Sequence, residues 1–361
     1  MSESKPSTTD PDAPGALEAL IRRAEAARAS DIHVQMADGT ARIAMRLDGR
    51  MTPAGELTNP LAERVIGRIK YLAKLKTYQE SLPQDGRIDR KDVGAQSDIR
   101  VSTYPTVTGE KVVLRLFDLG PALTLDQLSF EEPVLVELRR YLAGGAGMLL
   151  LTGPAGSGKT TTIYACLRHL SDLGGRHIIT VEDPVEQIIP GVMQTEVNEA
   201  AGLDFARAAR HLLRQDPQVL VLGEIRDEET ARLALRAART GHQVISTLHA
   251  GSCSAVFDRL LLLGQEPYTV FSAVELVLNQ RLVRRFCAGC RGGGCADCFQ
   301  TGYRGRVPVV EHLRLTDGLR AEARARGTTM LRSAHPLEEL ARGLPARGVT
   351  SEAEVGRIFR P

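Results

Sequence analysis

Two patterns of hydrophobic positions divide the chain. In the first, Ile43, Met45 and Leu47 alternate with Arg42, Ala44 and Arg46, the period-two signature of a strand with one buried face. This strand, Arg42–Leu47, is joined to another at Ile32–Met36 through Ala37, Asp38, Gly39 and Thr40, where the Asp-Gly pair signals a hairpin. A helical stretch from Ala16 leads into the hairpin. Leu61, Val65, Ile66, Ile69, Leu72 and Leu75 then share one helix face, and further strands are expected at Ile99–Thr103 and Val112–Phe117. In the second pattern, short unbroken apolar or β-branched runs occur at Met148–Thr152, His177–Val181, Val219–Leu222 and Gln243–Thr247. Helical segments separate them, for example Glu228–Arg239 with Asp227 placed as its N-cap. Such runs suit a parallel sheet buried on both faces, so this region reads as an α/β domain.

The run Asp-Leu-Gly-Pro-Ala from Asp118 to Ala122 punctuates the chain between the two patterns. The expected organisation is a disordered tail over 1–15, an α+β domain over 16–118, a hinge linker over 119–125 and an α/β domain over 126–361. The tail, MSESKPSTTDPDAPG, is rich in Ser, Thr, Pro and Asp and lacks the charged-then-apolar order of a signal peptide. No apolar run is long enough to span a bilayer, which points to a cytoplasmic protein.

Composition narrows the function. The chain has 46 basic and 44 acidic residues, a formal charge of +2, only 4% aromatics and no Trp. A nucleic-acid binder would show a basic excess and stacking aromatics, so no direct nucleic-acid partner is expected. Four of the six cysteines, Cys287, Cys290, Cys295 and Cys298, fall within twelve residues, a clustering that suggests metal rather than disulfides.

The segment GPAGSGKTT, comprising Gly153, Pro154, Ala155, Gly156, Ser157, Gly158, Lys159, Thr160 and Thr161, fits a phosphate-binding loop between a strand and a helix. Its glycines let backbone N–H groups surround phosphates, and the helix N-terminus adds positive potential. Lys159 is expected to reach the β- and γ-phosphates of ATP, and the Thr160 hydroxyl to ligate Mg²⁺. The other three strand candidates run into Glu182-Asp183-Pro184, Gly223-Glu224 and His249, and the carboxyl ends of parallel strands are where ligands bind. Hydrolysis needs a carboxylate to orient or deprotonate water, for which Glu182 and Glu224 are the candidates. His242 and His249 flank one strand and are candidates to stabilise the γ-phosphate.

Read together, GPAGSGKTTT (153–162), ITVEDPVE (179–186), LLRQDPQVLVLGEIRD (212–227) and TGHQVISTLHA (240–250) resemble the Walker A, Asp-box, Walker B and His-box motifs of type II/type IV secretion and pilus-assembly ATPases. The first domain agrees through ASDIHV (29–34), RLDGR (46–50), LPQDGRID (82–89) and DIRVSTYPTVTGEKVVLRL (98–116), and the last region through QRLVRRFC (280–287) and GYRGR (302–306). The resemblance implies a RecA-like P-loop NTPase domain with a smaller α+β, PAS-like N-terminal domain. It also implies a homohexamer on the cytoplasmic face of the inner membrane that turns a platform protein and adds pilin or pseudopilin subunits. By motif, Glu182 is the expected base, Glu224 holds the Mg²⁺-bound water, and Arg100 and Arg115 reach the nucleotide from the first domain. The alternative for both arginines is local pairing with Asp98 and Glu110.

The sequence departs from the family in two places. The first motif begins near Ala29, so the extra N-terminal module of many assembly ATPases is expected to be missing. The cysteine pairs are separated only by Arg291–Gly294, where relatives have a few tens of residues. Two Cys-x-x-Cys knuckles still supply a closed Cys₄ set for structural Zn²⁺. The glycines 292–294 allow the tight reversal, and Arg281, Arg284, Arg285 and Arg291 are expected to offset the charge of the site within a 281–306 zinc segment. Two other roles remain in view. Retraction ATPases share the nucleotide motifs but generally lack the tetracysteine and read Glu-Met-Arg-Asp where this chain has Glu224-Ile-Arg-Asp227. A DNA-uptake or nucleic-acid translocase would need the basic surface that the composition does not show.

Overall fold

The computed structural model describes residues 12–116 and 122–359. The chain forms two compact units, one of residues up to Gly120 with Cys287–Arg304, the other of Pro121–Phe286 with Gly305–Pro361. Residues 1–11 of the expected tail and residues 119–121 of the expected hinge lie outside the described residues, as does Phe117.

The N-terminal unit contains α1 (Ala13–Ala26), β1 (Asp31–Ala37), β2 (Thr40–Leu47), β3 (Arg50–Thr58), α2 (Leu61–Leu72), β4 (Gln84–Ile88), β5 (Ile99–Thr106) and β6 (Gly109–Leu116). Helix α1 begins three residues earlier than expected because the Asp12 carboxylate caps it, accepting the Gly15 N–H at 2.9 Å. The hairpin joint is as read, with Asp38 and Gly39 both at positive φ (50° and 76°), the conformation of a tight two-residue turn. Helix α2 stops short of Leu75. Lys74 takes φ 59° and the Leu75 N–H returns to the Lys70 carbonyl at 2.8 Å, the six-to-one closure that ends a helix. The six strands form one sheet in the order β3-β2-β1-β6-β5-β4, and every pair is antiparallel. Ile32, Val34, Ile43, Met45, Ile99, Val101, Val112 and Leu114 share a core with the apolar positions of α1 and α2. The alternation therefore sends the odd-numbered residues of β1 and β6, and Arg100 of β5, to the opposite face.

The second unit contains α3 (Glu132–Ala143), β7 (Gly147–Thr152), α4 (Lys159–Leu173), β8 (Ile178–Glu182), β9 (Val192–Glu196), α5 (Phe205–Leu212), β10 (Val219–Leu222), α6 (Glu228–Arg239), β11 (Gln243–Thr247), α7 (Cys253–Leu262), α8 (Pro267–Ala273), β12 (Val274–Phe286), β13 (Tyr303–Arg314), α9 (Asp317–Arg326), α10 (Leu337–Ala346) and α11 (Glu352–Phe359). Its sheet runs β13-β12-β7-β11-β10-β8-β9, and the pairs from β12 through β9 are parallel. Met148, Leu150, Leu220, Leu222 and Val244 pack with α5 to α8 on one face, while Leu149, Leu151, Val219, Val221 and Ile245 pack with α3 and α4 on the other. Cover on both faces is why these strands read as unbroken apolar runs. The carboxyl ends of β7, β8, β10 and β11 lie along one edge of this sheet, the edge at which ligands bind in open parallel sheets.

Candidate active site

The phosphate-binding loop joins β7 to α4. Gly153, Gly156 and Gly158 sit at φ 133°, 72° and 94°, a region that disfavours side chains. At Gly153 a Cβ would also lie 2.4 Å from the Gln280 carbonyl oxygen and 2.8 Å from the Ser157 hydroxyl, so only glycine closes the loop against β12. Lys159 opens α4, and its Nζ donates to the Gly153 and Pro154 carbonyls at 2.8 and 3.0 Å. Burial lowers its pKa; the Arg281 cation acts in the same direction, and the Glu224 carboxylate opposes them. The Ser157 Oγ is buried without a hydrogen-bond partner, a polar atom that a phosphate would satisfy. Thr160 and Thr161 are exposed at the helix start, where Thr160 is free to serve as a Mg²⁺ ligand. Arg281, placed in sequence among the charges of the zinc segment, instead donates to the Gln280 carbonyl at 3.1 Å beside the loop.

Glu182 ends β8 and is only 7% exposed. Its Oε1 accepts from the Thr180 hydroxyl at 2.6 Å and the Gln194 amide at 2.9 Å, and its Oε2 accepts from the Tyr164 hydroxyl. Glu224 follows β10, where it pairs with Arg226 and lies 3.9 Å from His249 Nε2. Lys159, Glu224 and His249 thus gather at one edge of the sheet.

His242 does not join them. It precedes β11, its carbonyl accepts the N–H of Gly147 at the start of β7, and its Nδ1 lies 3.0 Å from the Ala237 carbonyl. A five-residue strand separates it from His249, roughly 17 Å at ~3.3 Å per residue, which puts it at the end of the sheet opposite the phosphate-binding loop. Two histidines flank one strand in sequence, but only the second lies at its carboxyl end. His242 is therefore corrected to a structural residue that closes the C-terminus of α6.

Within the N-terminal unit, register lines up charges that are scattered in sequence. Arg46, Asp31, Arg115, Arg100 and Arg87 stand opposite one another across β2, β1, β6, β5 and β4. Asp31 is buried and accepts from Arg46 Nε at 3.1 Å and Arg115 Nε at 3.0 Å. The local pairing considered for Arg115 is thus with Asp31, not with Asp98 or Glu110. Asp98 pairs with Arg87 at 2.6 Å, and Glu110 is held by the buried Lys70 at 3.0 Å. Arg87, Asp31 and Arg281 stand in the quoted motifs, yet only the pairing of strands shows their surroundings.

The four cysteine thiols lie within 4.8 Å of one another. The Sγ separations are 3.8 Å for Cys287–Cys295 and 3.7 Å for both Cys290–Cys298 and Cys295–Cys298. A tetrahedral zinc with Zn–S bonds of ~2.3 Å requires sulfur separations of ~3.8 Å, so the shortened connector still builds a zinc-sized set. Gly292 and Gly294 supply the reversal at φ 99° and 87°. Burial pushes the Cys298 thiol up, but N–H groups of Cys295 and Gly302 and the neighbouring thiols donate to it and hold it below its ordinary value. Arg284, expected near the thiols, is instead committed to Glu354 at 2.6 Å. The segment itself belongs with the N-terminal unit. Phe299 packs on that unit's core, with the Arg23 guanidinium 5.7 Å from its ring centroid.

Comparison with known proteins agrees with this geometry. A family profile described as "Type II/IV secretion system protein" matches residues 12–354. The chain is 41% identical over 347 residues to "Type II secretion system protein HxcR" of Pseudomonas aeruginosa, covering 94% of this chain and 73% of that protein. It is 40% identical over 323 residues to "Type IV pilus assembly ATPase PilB" of Myxococcus xanthus, covering 81% and 57%. Among solved structures it is similar in fold to the Legionella pneumophila ATPase DotB, with a TM-score of 0.76 at 22% identity over 99% and 97% of the two chains. A second likeness is to the pilus retraction motor PilT with bound ADP, at a TM-score of 0.67 and 24% identity over 96% and 97%. The chain is a P-loop ATPase and belongs to the type II/IV secretion system protein family.

Proposed function

We propose that the chain is the motor of an assembly or secretion machine, in which ATP hydrolysis drives movement of an inner-membrane platform protein and the addition of pilin or pseudopilin subunits. The observation that carries this reading is the identity of about two residues in five with secretion and pilus-assembly proteins across most of the chain. It acts as a homohexamer on the cytoplasmic face of the membrane. No helix among the described residues is long and apolar enough to cross a membrane, in keeping with a peripheral attachment.

In the proposed cycle, the phosphates of ATP lie against the N-terminus of α4, and Lys159 exchanges its two loop carbonyls for the β- and γ-phosphates. Thr160, and Glu224 through a water, would hold Mg²⁺, which would supply positive charge between those phosphates. Glu182 orients and deprotonates the attacking water, and His249 stands with Glu224 on the γ-phosphate side. Arg100 and Arg115 offset the charge that develops in transfer, in the manner of an arginine finger. Cys287, Cys290, Cys295 and Cys298 would hold Zn²⁺ in a structural role, since four thiolates close its coordination shell.

Deleting the gene in the organism that carries it tests the role. An assembly or secretion motor predicts loss of surface pili or of secreted protein, restored by the wild-type gene and not by Lys159→Ala. Excess unretracted pili would show a retraction motor instead, and loss of DNA uptake alone would show a translocase.

A further inference from the structure

We propose that Tyr164 is a positioning residue for Glu182: its hydroxyl holds the carboxylate so that one lone pair of Oε2 is left for the attacking water, and it ties that carboxylate to the helix that begins at the phosphate-binding loop. The proposal rests on the assignment of Glu182 as base.

Tyr164 lies one turn beyond Thr160 on α4, so the two residues share a helix face. Its side chain is buried, 6% exposed, and its oxygen accepts the N–H groups of Glu186 at 2.9 Å and Gln187 at 3.2 Å. A phenol oxygen has one proton to give and limited acceptor capacity. With both N–H groups pointing at its lone pairs, the proton has one direction left, and it goes to Glu182 Oε2. The two N–H bonds also polarise the hydroxyl and strengthen its donation.

A carboxylate offers about four lone-pair positions, two on each oxygen. Thr180 and Gln194 take both positions on Oε1, and Tyr164 takes one on Oε2. Gln194 cannot turn away freely, because its Oε1 accepts the Ile189 N–H at 2.7 Å and its Nε2 also donates to the Gln187 carbonyl at 2.9 Å. The carboxylate is therefore fixed in rotation, and among the described donors one position on Oε2 is left for the attacking water. The sequence hint is the tyrosine five residues after the loop lysine, in a helix whose other buried residues are mostly aliphatic.

The test compares Tyr164→Phe, Glu182→Gln and the double variant in the full-length protein, by ATP affinity and by kcat as a function of pH. Tyr164→Phe is expected to lower kcat roughly 10- to 100-fold with KM for ATP changed less than about threefold. It should also move the acid limb of the kcat profile to higher pH, since the charged carboxylate has lost a donor. In the Glu182→Gln background the same change should add nothing. A fluorotyrosine incorporated at position 164, which keeps the fold while donating more strongly, should move the acid limb the opposite way. If Glu182→Gln turns over normally, the base assignment fails and this proposal with it. If Glu182→Gln is inactive but Tyr164→Phe keeps the wild-type kcat and pH profile, the base stands and the positioning role is overturned. If Tyr164→Phe does not fold, an unmoved acid limb with fluorotyrosine overturns it instead.

Discussion

Asp31 and Arg115 face each other across β1 and β6, and Arg115 donates to the buried carboxylate through Nε rather than through its terminal nitrogens. Arg46 does the same from the other side. Burial alone would raise the Asp31 pKa, but the Ser30 hydroxyl and the two guanidiniums more than offset it and hold the carboxyl below its usual range. One buried acid thus fixes the directions of two arginines, while the Arg115 side chain remains 64% exposed and able to receive an anion. Arg115→Ala is expected to leave ATP affinity nearly intact and to lower kcat by roughly 10³-fold, the scale of an arginine finger. Asp31→Asn, which loosens Arg115 without removing it, should cost roughly tenfold. Steady-state kinetics checks both, and wild-type turnover in Arg115→Ala would remove it from the site.

The thiol separations predict about one equivalent of zinc per chain in protein purified without added metal. Cys290→Ser should lower that content sharply. Because Phe299 seats the segment on the N-terminal core, metal loss should also raise hydrogen exchange in α1. Four freely titrating thiols in metal-free native protein would end the assignment.

Lys70 and Glu110 form a buried pair, with side chains 1% and 5% exposed. The Lys70 ammonium also reaches the Gln79 carbonyl at 2.8 Å. Lys70→Met leaves Glu110 buried without its cation and should destabilise the N-terminal unit by about 3–5 kcal/mol. Denaturant unfolding measures this, and Lys70→Met with Glu110→Gln together should recover part of the loss.

Glu354 gives the fold an acid-side dependence. Burial pushes its carboxyl up, but Arg357 and Arg284 more than offset this and hold it at about 2. A depressed carboxylate contributes stability above its unfolded pKa, near 4.5, and loses it as pH falls toward 2. The contribution is roughly 3 kcal/mol, the free-energy equivalent of that shift. The denaturant midpoint should fall between pH 5 and pH 2.5 in the wild type, with a shallower slope in Glu354→Gln.

Local pattern made much of the second unit legible. β10, β11 and α6 lie where periodicity puts them, because strands covered on both faces carry an uninterrupted apolar code. The loop and the carboxylates were legible for the same reason, since chain order and strand direction place them at one edge. β3 was not, because Pro53 and Gly55 break its alternation on an edge strand. The thirteen-residue β12 mixes apolar and basic residues and shows no simple period. The arginine row depends on register among five strands, which no local pattern states. His242 was misplaced for a related reason: proximity in sequence does not say which end of a strand a residue occupies.

The proposal that Arg100 and Arg115 serve ATP hydrolysis only in an assembled ring is tested most directly by ATP turnover per subunit across protein concentration. Oligomeric state is followed in parallel by light scattering, and Lys159→Ala serves as the inactive reference. Turnover that rises with concentration and levels off as rings form, with none in Lys159→Ala, is the predicted result. Undiminished turnover in a demonstrated monomer would contradict it.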